Sequence, residues 1–500
     1  MTTYIMVYFA SALLALLATP VVIRIGQRMG IVDAPNVRKV HAAVTPRIGG
    51  VAIVFAMLTT TGLILALDNG VGEAVRGIRT QLVGLIVASI LIFVSGLIDD
   101  VRNLPARAKL AFQIGAALLV CAFGVRIEEI DISQDMVVHF GLLSWPITVF
   151  WIVGITNAVN LIDGLDGLAA GISAIACGVI AVFAFHTGQV VMGILMIALL
   201  GSITGFLFFN FNPAKVFMGD CGSLFLGFVL ATTSVMCVSK TAMVVGLALP
   251  MLALGIPIFD TLFSMLRRIL ERRSCFAPDR GHIHHRLLDM GLDHRHAVIL
   301  MYAVTVIAAG LGVAMMVIRD EGMIVVFAAV VLFMALIFRV VGAVDFRESF
   351  LILRKNLAIS RDAKEEKRSF EHVQLRIRQA RTFDEWWKAA CAAAAEMDFV
   401  WLALNVVNRD GKLRTLVWRT GEREFAVHET VNMSVPVRHR RQGPPLQIEV
   451  AVRINGSLES AGRRAALFVR LIDQHNLAVL PHEAVRATVQ ARPPVPVSVN

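Results

Sequence analysis

In Asn157-Ala-Val-Asn160-Leu-Ile-Asp163-Gly-Leu-Asp166-Gly167, two amides and two carboxylates lie between the apolar runs 142–158 and 168–185. Ionisable groups this close to a bilayer are costly unless they face water, a partner or a metal, so the stretch reads as a functional site. The glycine after each aspartate loosens the backbone where a helix should stop. Further carboxylates stand at Asp99, Asp100, Asp220 and Asp260, at the ends of apolar runs or just inside them. Oxygen donors of this kind suit Mg2+ or Mn2+, which bind one or two carboxylates together with substrate phosphates. Basic groups surround them in sequence: Lys39, Arg47, Lys109, Lys215, Arg280 and the histidines His282, His284 and His285. Carboxylates, a divalent metal and cations are what phosphoryl transfer requires, because it relies on positioning and on neutralising phosphate charge.

Taken singly, each feature has a plainer reading. An aspartate at a helix mouth is commonly a cap, and Asp99-Asp100 ahead of Arg102 reads equally as a solvated turn. The 282/284/285 spacing departs from the i, i+4 pairing of a helical zinc site. Arg280 and Arg286 would also repel a cation, so that loop reads as an anion or substrate contact. Arg267, Arg268, Arg272 and Arg273 read as an anchor against anionic headgroups.

The elements that must position these groups are membrane helices. The 500 residues are 57% hydrophobic and 17% charged, with mean hydropathy +0.71; soluble domains carry about a quarter charged residues. Runs near the ~20 residues a span needs occur at 4–23, 48–67, 80–98, 107–125, 142–159, 167–186, 190–209, 221–238, 241–266, 298–318 and 323–341. Pro250 and Pro257 should kink or break the longest of them. The first run lacks a basic leader and a small-residue cleavage site, so it reads as a span. The six cysteines have no metal or disulfide spacing and read as small buried hydrophobes.

Lysine and arginine set the orientation. One side collects Arg24, Arg28, Arg38, Lys39, Arg47, Arg102, Arg107, Lys109, Lys215 and the arginines of 267–297; the other has Arg76, Arg79, Arg126, Lys240 and Arg319. The basic side is cytoplasmic, which puts the N-terminus outside and the C-terminal domain inside. That placement, rather than nucleic acid, accounts for the net charge of +10. All the dense polar clusters then fall on the cytoplasmic face, whereas an ion-moving protein would scatter charges through the midplane. A transporter or lipid-binding protein with a sensory tail is the competing class.

The motifs Gly96-Leu-Ile-Asp99-Asp100 followed by Lys109, Asn157–Gly167, Asn210-Phe-Asn212-Pro-Ala-Lys215-Val-Phe-Met-Gly-Asp220 and Asp279-Arg-Gly-His282-Ile-His284-His285 resemble the polyprenyl-phosphate N-acetylhexosamine-1-phosphate transferases. The resemblance covers roughly 1–342. It implies transfer of a HexNAc-1-phosphate, GlcNAc-1-phosphate first, from a UDP-sugar to undecaprenyl phosphate, with release of UMP, at the start of lipid-linked cell-surface polysaccharide synthesis. It further implies Mg2+ held by Asp220, Asp163 and Asp99. Asp99 and Asp100 would lie beside the lipid phosphate, one of them as a base, with Lys109 on phosphate. Asn160, Asp163 and Asp166 would line the nucleotide and metal site. Lys39, Arg47, Asn157, Asn212, Lys215, Asp260, Arg280 and the three histidines would contact substrate. The Gly281-His-Ile-His-His loop resembles the UDP-GlcNAc users. The phospho-MurNAc-pentapeptide transferases, with Pro-Ile-His-His-His, are the alternative subfamily. Other partners so implied are membrane lipids, a second copy of the chain and a cytoplasmic partner of unknown identity, in the bacterial inner membrane.

Residues 343–491 read differently, as a charged cytoplasmic α+β regulatory or interaction domain, with 492–500 a disordered Pro-rich tail. Strands are expected at 399–407, 413–419, 424–431 and 446–452, and a helix at 457–477; the pattern resembles a GAF-like sensor. Trp386-Trp387 reads as core packing before interface. The expected fold is thus an all-α polytopic membrane protein of about 11 transmembrane helices with a C-terminal α+β domain.

Overall fold

A computed structural model describes residues 2–33, 44–66, 71–133, 136–238, 249–272, 274, 281–315, 321–342, 351, 353–354, 370–371, 373–407, 413–421, 429–437, 446–454 and 458–475. They group into two compact units, Met1–Ser349 and Phe350–Asn500.

The first unit is helical: α1 (Thr2–Arg28), α2 (Gly50–Ala66), α3 (Val71–Arg102), α4 (Ala106–Ala122), α5 (Ser144–Ile162), α6 (Leu168–His186), α7 (Val190–Asn210), α8 (Gly219–Val238), α9 (Gly255–Leu270), α10 (Ile283–Asp289), α11 (His294–Met315) and α12 (Glu321–Val340). Short antiparallel pairs join β1 (Val32–Asp33) to β2 (Thr45–Pro46), and β3 (Glu129–Ser133) to β4 (Met136–His139). Among the described residues seven helices are long and apolar enough to cross a membrane: α1, α3, α5, α6, α7, α8 and α11. The protein is a multi-pass membrane protein. The expected runs 48–67 and 323–341 become shorter apolar helices, Gly50–Ile64 and Phe327–Val340. The expected run 107–125 becomes the 17-residue α4, with Arg107 and Lys109 in its first turns. In 241–266 the chain leaves helical geometry at Leu254 (φ −100°, ψ 18°), and α9 restarts with Pro257 in its first turn, where a proline lacks no helix hydrogen bond.

Short connections join α3 to α4, α5 to α6 and α7 to α8, and the contacts of Asp220 with Asp100 and Asn160 and of Asp166 with Asn212 bring these three junctions to one side. That side holds the polar motifs. At the centre lies α8, 94% buried over its apolar window, with Phe225 and Phe228 fully enclosed. Its start is pinned by backbone alone. Gly49 N donates to Phe217 O (2.9 Å) and Gly50 N to Met218 O (2.8 Å). A Cβ on Gly50 would stand 2.3 Å from Gly222 Cα, and one on Gly96 would stand 2.6 Å from Asp220 O. Only glycine permits α2, α3 and α8 to approach this closely. The described cysteines Cys121, Cys177, Cys221, Cys237 and Cys391 are buried and free.

The second unit has α13 (Phe383–Glu396), β5 (Phe399–Val407), β6 (Leu413–Arg419), β7 (Thr430–Val437), β8 (Leu446–Arg453) and α14 (Leu458–Gln474). Its antiparallel sheet runs β6-β5-β8-β7. Thr382 and Glu385 close a capping box at the start of α13. Trp386 is 1% exposed in the core with Phe399 and Phe468, and its indole N–H donates to His475 O at 2.6 Å. The third expected strand, 424–431, falls largely on 422–428, outside the described residues; the strand present, β7, continues through Pro436 to Val437. A proline is tolerated there because, among the described residues, β7 lies at the sheet edge and pairs with β8 alone.

Replacing Gly96 with alanine should cost about 1–3 kcal/mol by overpacking, read as a lower Tm in detergent. Gly115→Ala, on the open face of α4 with no atom within 4 Å of the new Cβ, should hold or slightly raise Tm.

Candidate active site

The carboxylates of the common side have distinct surroundings. Asp100, at the end of α3, accepts the backbone N–H of Asp220 on Oδ1 and of Cys221 on Oδ2, both at 2.9 Å. It caps α8, satisfying orphan donors at the positive end of the helix dipole. Arg47 in turn donates to Asp100 O and to Asn103 Oδ1 (3.1 Å). Asp99 accepts Leu104 N on Oδ1, and its Oδ2 pairs with the Lys109 ammonium. Lys109 also donates to Asp220 Oδ2 at 2.7 Å, so one cation bridges two carboxylates from α3 and α8. The other oxygen of Asp220 takes Asn160 Nδ2 (3.1 Å), which also reaches Ser223 Oγ (2.8 Å).

Asp163 ends α5. Burial, then the charges of Asp220, Asp100 and Asp166, push its carboxyl up to about 8. The named carboxylates of this side outnumber the cations Lys109 and Arg47, so negative charge remains uncompensated around Asp163. Asp166 holds the loop before α8: its Oδ2 accepts Asn212 Nδ2 and Ala214 N, both at 3.0 Å. Asn157 pairs through its amide with Gln113, whose Nε2 donates back at 3.3 Å. Lys215 is exposed within that loop.

The histidine segment forms a second group. Asp260 of α9, 3% exposed, accepts Ile283 N on Oδ1 (2.8 Å) and meets His282 Nδ1 with Oδ2 (2.7 Å). His284 is 2% exposed, and burial followed by the neighbouring His285 lowers it to about 3, so its ring is neutral. It packs against His285, with ring centroids 4.4 Å apart. Lys39 and Arg280 lie outside the described residues.

Several participants carry no chemical signature in the sequence. Gln113 sits four residues after Lys109, one turn along the same face of α4, and that spacing was the available signal. Ser223 stands in the same relation to Asp220, three residues on. Tyr302 of α11, whose hydroxyl donates to Gly167 O, had none.

Among the described residues no three His, Cys, Asp or Glu side chains already form a metal-ligand group. A hard cation that takes one or two carboxylates and completes its shell with phosphate and water suits this donor set better than a caged ion.

Residues 82–238, α3 through α8, match the description of glycosyl transferase family 4. Over 307 residues the chain is 40% identical to a probable undecaprenyl-phosphate N-acetylglucosaminyl 1-phosphate transferase of Bacillus subtilis (strain 168), covering 61% of this chain and 82% of that relative. The chain belongs to glycosyl transferase family 4. It is 35% identical over 326 residues to the decaprenyl-phosphate N-acetylglucosaminephosphotransferase of Mycobacterium tuberculosis (strain ATCC 25618 / H37Rv), covering 60% of this chain and 78% of that one. It is 27% identical over 298 residues to the undecaprenyl-phosphate alpha-N-acetylglucosaminyl 1-phosphate transferase of Escherichia coli (strain K12), covering 58% and 78%. In this family 4 chain the matched segment contains Asp99, Asp100, Asp163, Asp166 and Asp220.

Two outcomes are expected. Asp100→Ala removes the α8 cap at a cost of about 0.5–2 kcal/mol, measured as a lower Tm. For Asp163, the folded chain retains a proton between pH ~4 and ~8 that the unfolded chain has lost, so its contribution to stability falls as pH rises through that window. In chelator, Tm should therefore fall less between pH 5 and 8 for Asp163→Asn than for wild type.

Proposed function

We infer that the chain transfers GlcNAc-1-phosphate from UDP-GlcNAc to a polyprenyl phosphate. The observation that carries this reading is the Asp99–Lys109–Asp220 bridge, with Asp163 set among the same carboxylates, inside the segment shared with relatives named for that reaction. Those names favour the reading over phospho-MurNAc-pentapeptide transfer and over a transporter.

In this mechanism an oxygen of the acceptor phosphate attacks the β-phosphorus of the UDP-sugar. The bond to the α-phosphate oxygen breaks, UMP leaves, and a lipid diphosphate sugar remains. The acceptor monoester, with a second pKa near ~6, is largely dianionic at neutral pH and supplies its own nucleophile. Lys109 neutralises phosphate charge, and Asn160 orients the Asp220 carboxylate. Asp163 and Asp220, with Asp99 in support, would hold Mg2+ or Mn2+, which when bound supplies charge neutralisation on the diphosphate. Asp100 and Asp166 act through the backbones they hold, while Asn157, Asn212, Lys215, Lys39, Arg47, Arg280 and the histidines belong to the substrate side.

The same reading places the site on the cytoplasmic face of a bacterial inner membrane, with eleven crossings, the N-terminus outside and the C-terminus inside. Undecaprenyl phosphate is the acceptor, the product starts a lipid-linked cell-surface polysaccharide, and the chain works as a homodimer. Residues 343–491 form a regulatory domain that binds a cytoplasmic partner.

Purified protein with UDP-GlcNAc, undecaprenyl phosphate and MgCl2 should release UMP, and EDTA should stop it. Absence of UMP release with every UDP-HexNAc tried would refute the reading. Lys109→Ala should lower kcat/KM by about 100-fold or more, in the range of lost electrostatic stabilisation. If Asp99 serves as a base, Asp99→Asn should change the pH profile as well as the rate.

A further inference from the structure

Asp260, on α9, pairs with neither Lys109 nor Asp220. Its two oxygens are committed inside the protein, one to the first amide of α10 and one to the His282 ring. From His282 the contact continues inward. The His282 and His284 rings stack nearly parallel, with centroids 5.7 Å apart and planes 7° apart. His284 is buried, and its Nδ1 has no hydrogen-bond partner among the described residues, so the ring contributes shape. That shape bears on Gly164: a Cβ there would stand 2.6 Å from His284 Nε2 and 3.1 Å from its Cε1. Gly164 directly follows Asp163.

We propose that Asp260 is a positioning residue that sets the Asp163–Gly164 turn through His282 and His284. One carboxylate fixes both the start of α10 and the plane of His282; the stacked ring then sets His284 against Gly164, where a side chain would collide with it. Asp163 is thereby held among Asp100, Asp166 and Asp220, whose charges act on its carboxyl. The proposal rests on the reading of Asp163 as part of the donor and cation site, and it removes Asp260 from the residues that touch substrate.

The test uses the full chain as wild type, Asp260→Asn, Asp260→Ala, Gly164→Ala and the Asp260→Ala/Gly164→Ala double variant. Three quantities are measured: Tm, the Tm shift on adding MgCl2, and UMP release with separate KM values for UDP-GlcNAc and undecaprenyl phosphate. Asp260→Ala should raise the donor KM or lower kcat by about tenfold or more, with the acceptor KM unchanged. Gly164→Ala, disturbing the same contact from the other side, should give the same donor-side loss. The double variant should be no worse than the poorer single one, because the two changes break one linkage. Asp260→Asn keeps an acceptor for Ile283 N and a donor for the ring, and should recover most of the activity.

A lower Tm for Asp260→Ala with wild-type kinetics would reduce the residue to a structural role and overturn the proposal. So would losses that multiply independently, or a rise confined to the acceptor KM. If Asp260→Ala does not fold, Asp260→Asn and Gly164→Ala decide. If wild type releases no UMP, the transferase reading falls by itself and the MgCl2 shift is the arbiter: its loss in the variants upholds the linkage, whereas its retention, or its absence from wild type, overturns it.

Discussion

The Asp100 carboxylate, shared between the amides of Asp220 and Cys221, is the contact on which the rest of the site depends. It ties the end of α3 to the start of α8, and thereby fixes Asp99 relative to Asp220. Lys109 can bridge those two only because that separation is set. A carboxylate near a bilayer must find charge or hydrogen-bond donors, and here the donors are the unpaired amides that begin the most deeply buried helix. The same bond solves a problem for each partner: α8 needs its end capped, and Asp100 needs its charge met.

Around this joint the roles of similar side chains divide. Asp100 spends both oxygens on the backbone amides that start α8, and Asp166 holds the preceding loop through Asn212 and Ala214. Asp99 and Asp220 share a cation. Asp163, set among the other carboxylates, keeps its proton near neutral pH, so a cation arriving there would displace that proton and meet the charge of its neighbours. Five aspartates of one residue type thus become three kinds of group, and the difference lies in which amides and ammonium groups surround each of them.

Much of this was legible in the sequence, for identifiable reasons. Asn157–Gly167 stood out because polar residues at a membrane boundary need a cause, and periodicity placed Phe399–Val407 and Leu413–Arg419 as strands with the bounds they have. Pairings were not legible. Nothing in composition says that Asp166 reaches across to Asn212, or that the histidine loop ends against Gly164, because both depend on how helices meet. Span counting was coarse for a related reason: α9 puts Asp260 on its buried side and Arg267 and Arg268 in its last turn, so its apolar run does not behave as one uniform element.

At Gly50 and Gly222 two backbones meet with no side chain between them. A distance built from side chains can be retuned by substitution, since a longer or shorter residue resets it. A distance built from bare backbone offers no such adjustment. Evolutionary divergence in what the site accepts is therefore channelled away from the α2–α3–α8 joint and into its outer loops, where side chains still set the dimensions. The rigid joint preserves the reaction, and the loops are where one lineage can come to differ from another.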